Sequence, residues 1–232
     1  MRDDISPFET ATGIVRQKEY PVSSRLNAIL YIVEKFSQDS LPLLEELLND
    51  PDEEADIRSA AALALGKIGG ERPFMLLQNL ATQTESDTLK NYAIQALGIL
   101  GKEESIPILL EALKESDNTI FYSAAEALGR IGKPVVPHLI RLLDKTQAED
   151  ARCIAAWQLG VLRYGEAIPA LIAIVSEDQN PDLIALSLWA LGEIGIASDE
   201  VTATLKQARL NENPAINKRA AMALKKIARH IN

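Results

Sequence analysis

The sequence predicts an all-α protein, a right-handed α-α superhelix (α-solenoid) of about six to seven stacked helix pairs. Three observations carry that expectation. First, the phrase Ala-Leu-Gly returns as AALALGKIG (61–69), AIQALGILG (93–101) and AAEALGRIG (124–132), then in degenerate form as AAWQLGVLR (155–163), SLWALGEIG (187–195) and AAMALKKIA (220–228). The column held by Gly66, Gly98, Gly129, Gly160, Gly192 and Lys225 advances in steps of 32, 31, 31, 32 and 33 residues. A fixed period of this length marks helical units that bury their faces on one another. Second, apolar residues in both halves of each repeat recur at spacings of three and four, the helical period. Third, 47% of the 232 residues are hydrophobic while only 5% are aromatic, so Ala, Leu and Ile build the core and helices can approach closely.

The elements follow in order. Residues 6–36 read as a divergent first pair whose second helix is SRLNAILYIVEKF, with Tyr31 where the column glycine would stand. Each later repeat opens with a first helix: SLPLLEELL (40–48), the looser ERPFMLLQNL (71–80), SIPILLEAL (105–113), VVPHLIRLL (135–143), AIPALIAIV (167–175) and EVTATLKQA (200–208). Pro42, Pro73, Pro107, Pro137 and Pro169 fall near these helix starts, where a missing N–H costs nothing and the fixed φ suits helix entry. Second helices are expected to open at Asp87, Asn118, Asn180-Pro181 and Asn213-Pro214. They are expected to close at Gly69, Gly101, Gly132 and Gly195, glycine being free to take the left-handed cap conformation. With the column glycine as zero, the apolar positions −9, −5, −2, −1 and +2 span one arc facing the core. No strand-like alternation and no long linker interrupts the pattern, so residues 1–232 read as one domain, with capping pairs at 1–38 and 198–232.

Net charge is −9, unevenly spread. Residues 39–56 hold eight acids and no Lys or Arg, whereas residues 206–232 hold seven basic residues against Glu212 alone, net +6. The overall sign argues against wrapping nucleic acid, which needs clustered cations. A lone cysteine, Cys153, allows no internal disulfide and fits a reducing compartment. The start MRDDISPFET lacks the basic and apolar regions of a secretion signal, and no stretch approaches the ~20 apolar residues of a membrane span. The expected location is the cytoplasm. His138 and His230 lie far apart, neither beside an acid in a metal-ligand pattern, so no metal, cofactor or catalytic residue is expected.

With AALALGKIG, its repeats and their A-I-P-x-L-x-x-x-L partners before us, the chain resembles HEAT repeats, specifically the short PBS-lyase HEAT-like type. The match covers about 190 residues. Its Val-Arg column is kept as Ile57-Arg58, Leu89-Lys90 and Ala151-Arg152. The basic residue is lost at Ile120-Phe121, Leu183-Ile184 and Ile216-Asn217. Proteins with such repeats include phycobilin lyase subunits, phycobilisome-turnover factors and many adaptors that handle no pigment. The HEAT-like deoxyhypusine hydroxylases carry His-Glu iron ligands, and this chain has no His-Glu, which excludes that function.

The resemblance implies that second helices line the concave side, with positions −7, −3 and zero opposite the core. Position −3 then carries Leu63, Gln95, Glu126, Trp157, Trp189 and Met222, and position −7 carries Tyr122. Trp157 and Trp189 are the chain's two tryptophans, in one register of adjacent repeats. Two readings are open: they form an exposed anchor for a partner beside Tyr122 and Met222, or they pack between helices. Arg152 likewise pairs with a partner's carboxylate or with an acid of its own chain such as Glu149 or Asp150. Glu126 near Trp157 is a weaker candidate, an acid for a bilin. The expected function is a non-enzymatic scaffold binding a protein partner along the concave face, with no nucleic acid, membrane or metal. The alternative implied by the resemblance is a phycobilin lyase subunit or bilin chaperone, with a bilin stacked on tryptophan and paired to Arg152.

Overall fold

The computed structural model describes residues 6–229, and His230 lies outside them. The described chain is helical throughout, without strands, and falls into two compact units, Met1–Arg130 and Ile131–Asn232. Each is a stack of antiparallel helix pairs, an all-α solenoid architecture.

The first unit holds α1 (Pro7–Arg16), α2 (Val22–Phe36), α3 (Leu41–Asn49), α4 (Ala55–Ile68), α5 (Glu71–Gln83), α6 (Asp87–Leu100), α7 (Ile106–Ala112) and α8 (Asn118–Ile131). The second holds α9 (Val136–Leu142), α10 (Glu149–Leu162), α11 (Ile168–Glu177), α12 (Pro181–Ile194), α13 (Asp199–Ala208) and α14 (Pro214–Ala228). Odd-numbered helices are the first members of the pairs and even-numbered ones the second. Within each unit a second helix lies beside the next second helix, as α4 does with α6 and α10 with α12, while first helices cover the other side.

The caps show why the pairs begin and end where they do. Ser6 and Glu9 close a reciprocal capping box: the Ser6 hydroxyl accepts from the Glu9 N–H and the Glu9 carboxylate from the Ser6 N–H. Short 3₁₀ turns feed α3, α7, α9 and α11, and Pro42, Pro107, Pro137 and Pro169 sit in the first turn of each. Asn180 and Asn213 cap α12 and α14 as expected. The other two caps lie one residue earlier than the sequence suggests. Ser86, not Asp87, accepts from Leu89 N–H, and Asp117, not Asn118, accepts from Thr119 and Ile120 N–H. Both substitutes are as competent as the residues after them, which is why composition alone misplaces the cap. Gly101 and Gly195 end α6 and α12 in the left-handed conformation. Arg163 ends α10 the same way at φ 57°, the one non-glycine residue with positive φ among those described.

Two register readings are corrected. In α2 the buried residues are Arg25, Ala28, Ile29 and Ile32. Matched to Arg58, Ala61, Ala62 and Leu65 of α4, this places Val33 in the column and Tyr31 two positions earlier. The column itself does not face away from the core. Gly66, Gly98, Gly160 and Gly192 are buried where successive second helices touch. A Cβ on Gly98 would stand 2.5 Å from Ala127 Cβ and 2.6 Å from its Cα; one on Gly192 would stand 2.9 Å from Ala223 Cα. Glycine at zero and alanine at −2 of the next helix thus form one recurring close contact.

Candidate functional site

Three second helices of the second unit, α10, α12 and α14, present a free face opposite the one their first helices cover. Position −3 puts Trp157, Trp189 and Met222 in line across that face. Met222 is 54% exposed, whereas both indoles are half-buried. The two readings of the tryptophans therefore merge. Trp189 lies over Gly160: its Cζ3 is 2.5 Å from where a Cβ on that glycine would be, so the ring is seated in the gap that the missing side chain leaves. One side of the indole packs between helices and the rest reaches solvent. Val161 and Ile196, both exposed, extend the apolar surface. The sequence reading passed over them. Val161 was findable, because it stands four residues after Trp157 and so shares its helix face.

The rim is cationic. Lys218 and Lys225 stand exposed on the same side of α14 as Met222, at spacings of four and three, and Arg229 follows four residues on. None of these has a carboxylate partner among the described residues. Lys226 does: it and Arg163 both bind Glu193 of α12. Burial pushes the Glu193 carboxyl upward, but the hydrogen bonds from Lys226 and Arg163 outweigh it and hold the group below the ordinary carboxylate range. The acidic run at 39–56, by contrast, is not a bare patch. Arg16 binds Glu46, Lys18 binds Asp50, Arg25 binds Glu53 and Arg72 binds Glu45.

Arg152 does not belong to this face. It is 5% exposed, its Nε donates to the Leu143 carbonyl at 3.0 Å, and its Nη2 is bound to Asp178. The internal ion pair is therefore the correct reading, but with Asp178 of the following repeat's turn and not with Glu149 or Asp150. Those two open α10 on the same helix as Arg152 and are exposed. Nε and Nη2 of the guanidinium are thus both held within the chain.

The remaining two candidates lie on α8 of the first unit. Tyr122 is 64% exposed and meets Phe121 edge-on, ring centroids 5.3 Å apart. Glu126 is exposed and paired with Arg130 one turn on, at 2.9 Å. Of the six sequence candidates the second unit thus assembles Trp157, Trp189 and Met222 on one face, and it withdraws Arg152. Cys153 is half-buried on α10, and burial raises its thiol pKa, the first of several causes that include nearby Asp182 and Asp150. No cluster of three potential metal ligands occurs among the described residues, nor any helix long and apolar enough to cross a membrane.

Comparison with known proteins agrees with this architecture. The uncharacterized protein SkfG of Bacillus subtilis (strain 168) is 33% identical over 130 residues, 54% of this chain and 71% of SkfG. The archaeal HEAT-like repeats protein from Thermococcus onnurineus NA1 superposes with a TM-score of 0.52 at 16% identity, covering 98% of this chain and 99% of that one. The CpcE–CpcF complex of phycocyanin lyase from Nostoc sp. PCC7120 has a TM-score of 0.48 at 20% identity, over 99% and 90% of the two chains. The family model for HEAT repeats matches residues 16–98, 75–160 and 136–225. By that near-continuous match, and by the paired helices that underlie it, the chain belongs to the HEAT-repeat family.

Proposed function

We propose that the protein is a non-enzymatic scaffold of the cytoplasm that binds a segment of a protein partner across the free face of α10, α12 and α14. The observation that supports this most is the line of Trp157, Trp189 and Met222, extended by Val161 and Ile196 and edged by cations without internal partners. Half-buried aromatic rings make good anchors. Their packed side fixes the rotamer, so little entropy is lost on binding, and their open side supplies apolar area. Lys218, Lys225 and Arg229 favour a segment carrying carboxylates beside its apolar residues, and they speed its approach. The pigment-binding reading relied on Arg152 for a bilin carboxylate. With that residue closed by Asp178, we do not adopt it.

The test is affinity purification from the source cell with the wild-type chain and with Val161→Asp/Met222→Asp, two exposed positions whose change leaves the core untouched. We expect a protein retained by the wild type to be recovered at least about tenfold less with the double variant, helical circular dichroism being equal. Undiminished recovery by the folded variant would overturn the reading.

A further inference from the structure

The basic residue eight positions before the column serves as a clasp between repeats. Arg25 donates from Nε to the Val15 carbonyl at 2.7 Å and from Nη1 to Glu53 at 2.9 Å. Arg152 repeats the arrangement with the Leu143 carbonyl and Asp178, and Lys90 reaches Glu115. In each case the acid comes from the turn before the next second helix, 13 or 14 residues ahead of that helix's column residue. Arg58 is the exception. Its Nη2 donates to the Leu48 carbonyl at 3.0 Å, and its Nε is buried without any partner. Of the two positions where the acid would stand, 14 residues before Gly98 is the uncharged Thr84, and 13 before it is Glu85, which matches Glu53 in register but is exposed and not bound to Arg58.

The unclosed guanidinium lines a cleft of about 360 Å³, walled by Leu48, Pro51, Leu76, Leu80 and Thr84. An equivalent cleft of about 290 Å³ exists in the second unit, where Ile184 stands in place of the arginine beside Val175 and Leu210. The groove is thus a product of how successive first helices splay. The charge within it is particular to Arg58. The buried Nε–H has an unmet need for an acceptor, and the guanidinium as a whole keeps donors for a carboxylate.

We propose that this cleft binds a carboxylate attached to an aliphatic body: the carboxylate closes the clasp on Arg58 as Glu53 does on Arg25, and the body lies against Leu76 and Leu80. A planar guanidinium suits this task, since turning Nε onto the Leu48 carbonyl presents the Nη edge as a fork to the incoming oxygens. The carboxylate belongs either to a small acid or to a peptide with an aliphatic C-terminal residue. The site is separate from the face on α10–α14, and its fate does not depend on that reading.

The Nε–H resonance of Arg58 in ¹H–¹⁵N spectra gives a direct readout. Titration with 4-methylpentanoate tests the small acid, and N-acetyl-alanyl-leucine with a free C-terminus tests the peptide; the corresponding amides are the uncharged controls. A saturable shift with either acid, at least about tenfold weaker with its amide, is the expected result, and the more effective acid identifies the source. Thr84→Asp supplies the missing internal acid and is expected to abolish the response while raising the melting temperature. No shift with either acid, an equal shift with the amides, or an undiminished shift in Thr84→Asp would each overturn the proposal.

Discussion

Gly98→Ala and Gly129→Ala make the same chemical change at equivalent positions of α6 and α8, and the structure assigns them opposite signs. Both positions lie inside helices, where alanine is favoured over glycine by about 1 kcal/mol. At Gly129 a Cβ meets nothing within 4 Å, so the propensity gain stands alone. At Gly98 the Cβ would be 2.5 Å from Ala127 Cβ and 2.6 Å from Ala127 Cα, against a favourable carbon–carbon separation of about 3.5–4.0 Å. The obstruction includes backbone, so no rotamer relieves it and α6 and α8 must part by about 1 Å. Overpacking costs about 1–3 kcal/mol, here at the upper end because backbone is involved, and outweighs the propensity gain by up to about 2 kcal/mol. For a chain of this size each kcal/mol moves the melting temperature by about 2–4 °C. Thermal unfolding followed by circular dichroism should show Gly129→Ala melting higher and Gly98→Ala melting lower than wild type. Shifts of the same sign would refute the claim that the glycine column exists for contact between second helices.

Two further outcomes follow from the clasps and caps. Glu53→Gln leaves Arg25 buried without a counter-charge, the two side chains being 2% and 0% exposed, and is expected to cost about 3–5 kcal/mol in chemical denaturation. Burial raises the Glu53 and Asp178 carboxyls, but hydrogen bonds from Arg25, Arg152 and backbone N–H groups bring both below their ordinary values. Carboxyls depressed in the folded state stabilise fully above their unfolded pKa of about 4, and that contribution is lost as pH falls through the folded values. The wild-type melting temperature should therefore drop below pH about 4, and less steeply in Glu53→Gln. Arg163→Gly removes a side chain from a left-handed residue, a gain of about 1 kcal/mol, against the loss of an exposed ion pair with Glu193 worth a few tenths. A net rise in melting temperature is expected, and a fall would show that the Glu193 network matters more than the backbone.

The pair boundaries and the core arc were legible in the sequence because they rest on local chemistry: period, proline at the first turn, glycine at the last. What could not be read depends on residues a repeat away. Asp178 is 26 residues from Arg152, and only stacking brings them together, so nearer acids drew attention in the sequence. The column glycines looked like part of a free face because a helical wheel places them opposite one neighbour, the first helix. It says nothing of the other neighbour, the next second helix. Trp189 illustrates the same blindness, since its seat is an absence of side chain at Gly160. Tyr31 was misplaced because α2 has no glycine to mark the register, whereas Arg25, had it been aligned with Arg58, would have marked it.

The gap at Thr84 also bears on how the first unit comes apart. Pairs in such stacks hold mainly to their neighbours, so local opening starts at the weakest joint. The joint that ties α1–α2 to α4 is locked by a fully enclosed charge pair, while the next relies on helix contact at Gly66 and an arginine still waiting for its acid. Supplying that acid with Thr84→Asp should accordingly slow amide exchange in α5 and α6.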